Sequence, residues 1–463
     1  MATNSKQVAA PSTPSYVGPF ITVAILFFIF GFITNLNMAL VPHLRSIFDL
    51  PYKWAMLAES AFFLAYFVFS SPTSKLIEMI GYKRTMVVSL FIQVIGCLMF
   101  VPAAKLVNFP LFLAAVFVVG AGVTALQTAA NPYVAILGPE HSAPVRLTLA
   151  QALNSLGGTI APLIAGHYIL TDPAKLATKA AVADTVRMPY ILIAAGLLIL
   201  GLIVIFLSLP HIEQAEAKPV KKGDPVASTS IWTYKHTVLG AVGIFLYVGV
   251  EVGLASIAVN YFLSQGVDSA RVTSFFDSLG GFGTFVTGWL GPWTNVEIAA
   301  ILVSLYWFGA LIGRLLGSWI LTVIKSGKLL GIFGFAAAVS IALSMVTNGQ
   351  IAIWTLVLCG FFNSIMFPNI FALGIAGLGK MASKGSGLIM TAVVGGAVVP
   401  WLIGAVADKI GKHYAIVHNL QYVPGGLADK VGIQSSFAIP ILCYLFIAYY
   451  GLWGSKPTRT VAA

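Results

Sequence analysis

Gly157-Gly158-Thr159-Ile160-Ala161-Pro162-Leu163-Ile164-Ala165-Gly166 and Gly395-Gly396-Ala397-Val398-Val399-Pro400-Trp401-Leu402-Ile403-Gly404 carry one pattern, GGxxxPxxxG, 238 residues apart. Each sits in an apolar run long enough to cross a bilayer. The run before each one ends in an Asn and a Pro, as Asn131-Pro132-Tyr133 and Phe367-Pro368-Asn369. Small residues recur in membrane helices simply because they let helices pack closely. The same spacing at matching places in two halves of a chain indicates more than that: an internal duplication.

Composition sets the environment of both copies. Of 463 residues, 58% are hydrophobic and 9% charged, against about a quarter charged in a soluble globular chain. Mean hydropathy is +0.92. These values exclude a soluble enzyme, a secreted disulfide scaffold and a disordered protein. The net charge of +11 does not point to nucleic acid, because Lys and Arg are scattered through the short polar gaps between apolar runs, as in inner-membrane proteins. Cys97, Cys359 and Cys443 fall inside apolar stretches and read as small hydrophobes, not as a disulfide framework. Residues 1–18 are polar, and the apolar run after them is too long for a signal h-region, so it is expected to remain as a membrane helix.

A ruler of ~20 apolar residues per span places spans at 20–42, 54–73, 84–103, 110–131, 147–170 and 189–209, then at 236–263, 296–320, 329–347, 351–374, 386–406 and 436–453. The expected fold class is therefore an all-α membrane protein, with twelve transmembrane helices in two pseudo-symmetric six-helix bundles. The domain plan is a tail (1–19), a bundle (20–209), a flexible cytoplasmic linker (210–235), a second bundle (236–453) and a tail (454–463). A Gly-rich, semi-apolar insert at 264–295 reads as an outer interfacial or re-entrant hairpin. With both termini in the cytoplasm, fifteen of the 26 Lys and Arg lie on the inner side, ten lie outside and Arg314 lies within a span, which favours that orientation.

Polar groups at membrane depth carry the functional signal, because hydrocarbon offers them no partner. Asn35 and Asn37 lie in span one. Thr124, Gln127 and Asn131 form a helical stripe in span four, and Gln151, Asn154 and Ser155 form another in span five. Asn260, Tyr306, Trp307, Asn363 and Asn369 follow in the second half. Amides both donate and accept without charge, and aromatic faces can stack on the C–H face of a pyranose. An uncharged sugar fits this lining. The competing reading of any one amide is interhelical glue, worth ~0.6 kcal/mol. Asn131 beside Pro132 can equally cap a helix end, and Trp307 can equally be packing.

Glu251, in span seven, is costly at depth, on the order of 3 kcal/mol. It reads as a proton site or a sodium ligand; the competing reading is a protonated structural glutamate. Glu59 in span two is a weaker candidate of the same kind. Arg314 is expected at the cytoplasmic rim in a gating or structural contact. No GxxxxGK[ST] loop supports an ATP-driven pump, the seven His show no metal-ligand spacing, and nothing suggests an enzyme, a resident cofactor or a nucleic-acid partner. A small sugar, the bilayer and a monomeric state are the expectations.

Phe30-Gly31-Phe32 to Leu44 (FGFITNLNMALVPHL), Leu126 to Tyr133 (LQTAANPY) and Arg146 to Gly157 (RLTLAQALNSLG) resemble the fucose:proton symporter family of the major facilitator superfamily, which includes the bacterial glucose/galactose and N-acetylglucosamine transporters. The resemblance covers roughly residues 20–453. It implies the major facilitator fold of parallel six-span repeats with substrate held between them at mid-membrane, a bacterial inner-membrane location and sugar uptake. Ser74 to Arg84 (SKLIEMIGYKR) resembles a degenerate copy of the superfamily's loop between spans two and three. By that likeness Glu78, Lys83 and Arg84 would act as a charge-linked cytoplasmic latch.

One departure bears on coupling. The positions of the fucose transporter's proton-handling acids align with Met38 and Gln127, neither of which titrates. Tyr247 to Gly253 (YVGVEVG) resembles instead the glucose/galactose and N-acetylglucosamine branch, where an acid lies in span seven and where parts of the branch use sodium. The leading expectation is uptake of a neutral hexose coupled to sodium or protons through Glu251. An uncoupled facilitator, N-acetylglucosamine or fucose as substrate, and a non-transporting sugar sensor stay open as alternatives.

Overall fold

The computed structural model describes residues 17–48, 57–168, 184–207, 230–268, 274, 278, 280–281, 295–422 and 426–457. The linker expected at 210–235 and the insert at 264–295 lie mostly outside the described residues, as do nearly all of 1–19 and the last residues of the chain. Every regular element among the described residues is helical, as expected where lipid cannot satisfy an open backbone.

The first half consists of α1 (Val17–Phe48), α2 (Leu57–Lys105), α3 (Phe109–Ile136), α4 (Ala143–Tyr168) and α5 (Arg187–Phe206). At 49 residues, α2 is too long for one crossing. It is two spans joined at Gly81, where φ 81° and ψ 168° form a left-handed step that glycine takes without steric cost. Asn108 starts α3 by accepting the Leu111 N–H at 2.9 Å, with a proline in the first turn. Arg146 collects the carbonyls of Val134 (3.0 Å) and Pro139 (3.0 Å) where α3 ends. The first half thus makes six crossings.

The second half is built from α6 (Lys235–Ser264), α7 (Asn295–Ile320), α8 (Ser326–Val346), α9 (Gly349–Asn363) with α10 (Met366–Ile375), α11 (Ala382–Thr391) with α12 (Gly395–Val417), and α13 (Leu427–Ser436) with α14 (Ala438–Tyr449). The last three crossings are thus broken helices, and the second half also makes six. Ten helical stretches among the described residues are long and apolar enough to span a bilayer. Division of α2 and inclusion of the less apolar α4 give the twelve of this all-α architecture. Cys97, Cys359 and Cys443 are buried and unbridged.

The repeated motif has the same packing role in both halves. A Cβ on Gly157 would lie 2.2 Å from the Phe28 carbonyl of α1, and one on Gly395 would lie 2.0 Å from the Phe245 carbonyl of α6. The first and fifth crossings of each half therefore touch backbone to backbone, a separation only glycine permits.

The halves meet beside the cavity described below, at the end of the bundle that contains Gly81. Ser383 donates to Glu78 Oε1 at 3.0 Å, Ser386 to the Thr128 carbonyl at 2.8 Å, and the Gly377 N–H to Glu140 at 3.0 Å. Gly387 lies so close to Ser74 that a Cβ would come within 2.7 Å of it. Small hydroxyl residues, glycines and the carboxylates of Glu78 and Glu140 make these contacts. The expected latch among Glu78, Lys83 and Arg84 takes a different form: Glu78 binds a serine of the other half, Lys83 reaches the Ile205 carbonyl at 2.9 Å, and Arg84 is exposed. The backbone step at Gly81 separates the acid from the two bases.

Candidate functional site: a cavity between the halves

A cavity of ≈ 140 Å³ lies between the halves. The first half lines it with Phe30, Thr34, Asn35, Phe63, Tyr66, Gln127, Gln151, Asn154, Ser155 and Gly158. The second half contributes Val248, Glu251, Val252, Trp307, Arg314, Phe367 and Val393.

The neutral wall comes from α1, α2, α3 and α4. Asn35 Nδ2 donates to the Gly31 carbonyl at 3.0 Å, and Gly158 is close enough that a Cβ there would meet that amide at 2.6 Å. The second glycine of the motif therefore leaves room for a cavity amide. Gln127 donates to the Tyr66 hydroxyl at 2.7 Å, and Asn154 reaches the Phe27 carbonyl at 3.4 Å. Gln151 and Gln127 are nearly fully buried, and Asn35 and Asn154 partly so. Such groups can exchange their local partners for sugar hydroxyls.

The charged wall comes from α6 and α7 and is set by a break in the tenth crossing. Between α9 and α10 the helix is interrupted at Ser364 and Ile365, and side chains satisfy the carbonyls there. The Tyr247 hydroxyl lies 3.2 Å from the Asn363 carbonyl, and Arg314 Nε donates to the Ser364 carbonyl at 3.1 Å. Irregular backbone at membrane depth survives where neighbours satisfy it in this way. The Tyr247 hydroxyl also donates to Glu251 Oε1 at 2.5 Å, which orients the carboxylate. Arg314 Nη1 crosses to the first half, bonding the Gln151 carbonyl at 3.2 Å and the Ser155 hydroxyl. Trp307 presents a partly exposed ring to the cavity, held edge-on by Tyr306 with centroids 5.5 Å apart and planes at 89°. The oxygen atoms of Glu251, Tyr247 and the Asn363 carbonyl are hard donors of the kind a proton or sodium ion uses.

Of the residues singled out in the sequence, Asn35, Gln127, Gln151, Asn154, Trp307 and Glu251 converge on the cavity. Arg314, expected at the rim, is 5% exposed and lines the cavity itself, where carbonyl and hydroxyl oxygens of both halves satisfy its guanidinium. Tyr306 and Asn363 stand behind the wall: Asn363 Nδ2 donates to the Tyr306 hydroxyl, so they brace Trp307 and the helix break. Asn131 is fully buried with its amide 3.6 Å from Met390 Sδ, in the seam, because the α3 stripe turns away from the cavity one turn beyond Gln127. Asn260 is exposed, and Glu59 sits in the first turn of α2 outside the lining. The Asn37 side chain lies outside those described.

Sequence reading missed Tyr66, Tyr247 and the apolar lining of Phe30, Phe63 and Phe367. A signal for Tyr66 existed: Phe63, Tyr66, Ser70 and Ser74 recur every three to four residues along α2, and all are buried although a lipid-facing helix has no need of the hydroxyls.

A profile of the Major Facilitator Superfamily matches residues 23–400. A glucose/galactose transporter of Brucella abortus biovar 1 (strain 9-941) is 41% identical over 453 residues, covering 98% of each chain. The L-fucose-proton symporter of Escherichia coli (strain K12) is 30% identical over 462 residues, covering 96% of this chain and 95% of its own. A crystal structure of the transporter FucP in the outward conformation superposes with a TM-score of 0.75 at 28% identity, covering 95% of this chain and 99% of its own.

Proposed function

This chain belongs to the major facilitator superfamily, with the glucose/galactose transporters and the L-fucose-proton symporter as relatives, and from that premise we propose that it imports a neutral hexose of the glucose/galactose type in symport with a cation. The observation that carries the proposal is a cavity between the halves with uncharged amides on one wall and a carboxylate on the other. Asn35, Gln127, Gln151 and Asn154 supply donors and acceptors for sugar hydroxyls, with Trp307 as the stacking face. Glu251, held by Tyr247, takes the coupling proton or sodium ion.

The bias of Lys and Arg puts both termini in the cytoplasm of a bacterial inner membrane. On that assignment the Ser383–Glu78 and Ser386–Thr128 contacts close the inner side, so sugar enters from outside. Release requires those contacts to part while the opposite faces of the halves come together. Sugar and cation drive this exchange only by binding the two states with different affinity.

Uptake of a labelled sugar panel into proteoliposomes, with proton and sodium gradients imposed separately, tests the reading. Accumulation of glucose or galactose above equilibrium under one gradient supports it. Equilibration at the same rate whatever the gradient would make the protein a facilitator, the reading that the non-titrating Met38 and Gln127 favour. Binding without flux would make it a sensor.

A further inference from the structure

Arg314 places its bonds unexpectedly for a buried cation. It shares the cavity with Glu251, yet its hydrogen bonds run to uncharged oxygens: the Ser364 carbonyl in its own half, and the Gln151 carbonyl and Ser155 hydroxyl of α4 in the other. Among the described residues no hydrogen bond joins it to Glu251, whose Oε1 takes the Tyr247 hydroxyl. The groups around the carboxylate are Tyr247 on its own helix, Tyr306 and Arg314 on α7, Asn363 on the tenth crossing, and Tyr66 across the cavity from α2. Of these only Arg314 carries a fixed charge. In a low-dielectric cavity an ionised carboxylate attracts a nearby guanidinium strongly, so Glu251 and the two α4 oxygens compete for one side chain.

We propose that Arg314 is a clamp between the halves that prevents the coupling cation from crossing without sugar. This rests on the cation-coupled reading above and assigns a residue and a rule to it. With a cation on Glu251 and no sugar, the carboxylate is neutralised, Arg314 stays on α4, and the halves remain joined beside the cavity. Sugar, lying against Gln151, Asn154 and Ser155, supplies hydroxyls that replace the α4 oxygens as acceptors for the guanidinium, and the loaded carrier is free to rock. With both ligands gone, ionised Glu251 draws Arg314 away from α4, and the empty carrier can return. The state left locked is the one with ion alone, which is the condition for tight coupling. Arg314 acts here through its contacts with α4, with Glu251 and, once it is bound, with the sugar.

The test uses the full chain in proteoliposomes: wild type, Arg314→Gln, Arg314→Lys and Ser155→Ala. Sugar-free cation flux is read under a proton gradient with an entrapped pH dye and, separately, under a sodium gradient with radiolabelled sodium. Sugar counterflow is measured on the same vesicles as the check on folding and binding. Arg314→Gln should raise sugar-free flux of whichever cation drives uptake about tenfold, within the range typical of coupling between sites, and abolish accumulation, with counterflow retained at a raised half-saturating sugar concentration. Ser155→Ala, which removes one acceptor and leaves the charge, should leak less than Arg314→Gln but more than wild type. Arg314→Lys should fall between Arg314→Gln and wild type. If counterflow is lost in Arg314→Gln, Ser155→Ala alone decides. A wild type that accumulates sugar while no variant with intact counterflow leaks would overturn the clamp. A wild type that fails to accumulate under either gradient overturns the coupling reading beneath it, a result seen before any variant is compared.

Discussion

Across the cavity the first half presents Thr34, Asn35, Tyr66, Gln127, Gln151, Asn154 and Ser155, all uncharged at neutral pH, whereas the second presents Glu251 and Arg314 beside Trp307. Both halves use the same glycine contact to bring their first and fifth crossings together. Duplication therefore preserved the backbone contacts and let the side chains diverge. On the function proposed above the difference is a division of labour: the neutral wall would read hydroxyls, which needs geometry and no net charge, and the charged wall would register an ion, which needs a field. The helix breaks belong to the charged side as well. All three broken crossings are in the second half, and one of them exposes the carbonyls that Tyr247 and Arg314 bind.

The largest expected effect comes from removing the charge of the second wall. Glu251→Gln should abolish gradient-driven accumulation, so that internal sugar only equilibrates, while counterflow persists. Normal accumulation by this variant would remove Glu251 from coupling and with it the contrast between the walls. Next is the shared backbone contact. Gly395→Ala drives a methyl into the Phe245 carbonyl and should destabilise the protein by about 3 kcal/mol, at the upper end for overpacking, visible as a lowered melting temperature in detergent. Gly196→Ala, with nothing within 4 Å, is the matched control and should leave the melting temperature unchanged. An equal loss from Gly157→Ala would show that the repeat bears on the two halves alike.

Smaller effects sharpen the recognition side. Trp307→Ala should weaken sugar binding about tenfold, the upper end of a lost aromatic contact, measured as the half-saturating concentration for counterflow, with Trp307→Phe recovering most of it. Tyr66→Phe removes the hydroxyl that holds the Gln127 amide and should raise the same concentration about fivefold, as expected for one lost hydrogen bond of about 1 kcal/mol. It should leave the accumulation ratio at saturating sugar unchanged, because Tyr66 belongs to the neutral wall. A change in that ratio would join the two walls into one coupled unit. Ser383→Ala should have the least effect, a modest shift in inner-side accessibility to thiol reagents after a cysteine is placed at Ser74, since one part-buried hydrogen bond contributes about 1 kcal/mol.

The arrangement of spans was readable because lipid imposes it locally. Each crossing needs its own apolar run, and a buried amide or acid announces itself by its cost, as Asn35, Gln127, Gln151 and Glu251 did. The repeat was readable because glycines at a backbone contact admit no substitute. Facing was not readable from depth. Asn260 and Asn131 satisfied the same rule as Gln127, yet the first is exposed outside the cavity lining and the second lies in the seam. Tyr66 and Tyr247 escaped because a tyrosine in an apolar run looks like any other aromatic until its hydroxyl has a partner.

From the chain alone came the membrane environment, the two six-crossing halves and the short set of polar residues with a reason to be buried, all consequences of a solvent that cannot hydrogen-bond. Only the tertiary structure decided which of them share one cavity and that Arg314 reaches across it to α4. Those outcomes depend on the angle and rotation of helices far apart in the chain, which are set by packing between surfaces and not by the composition of any one segment.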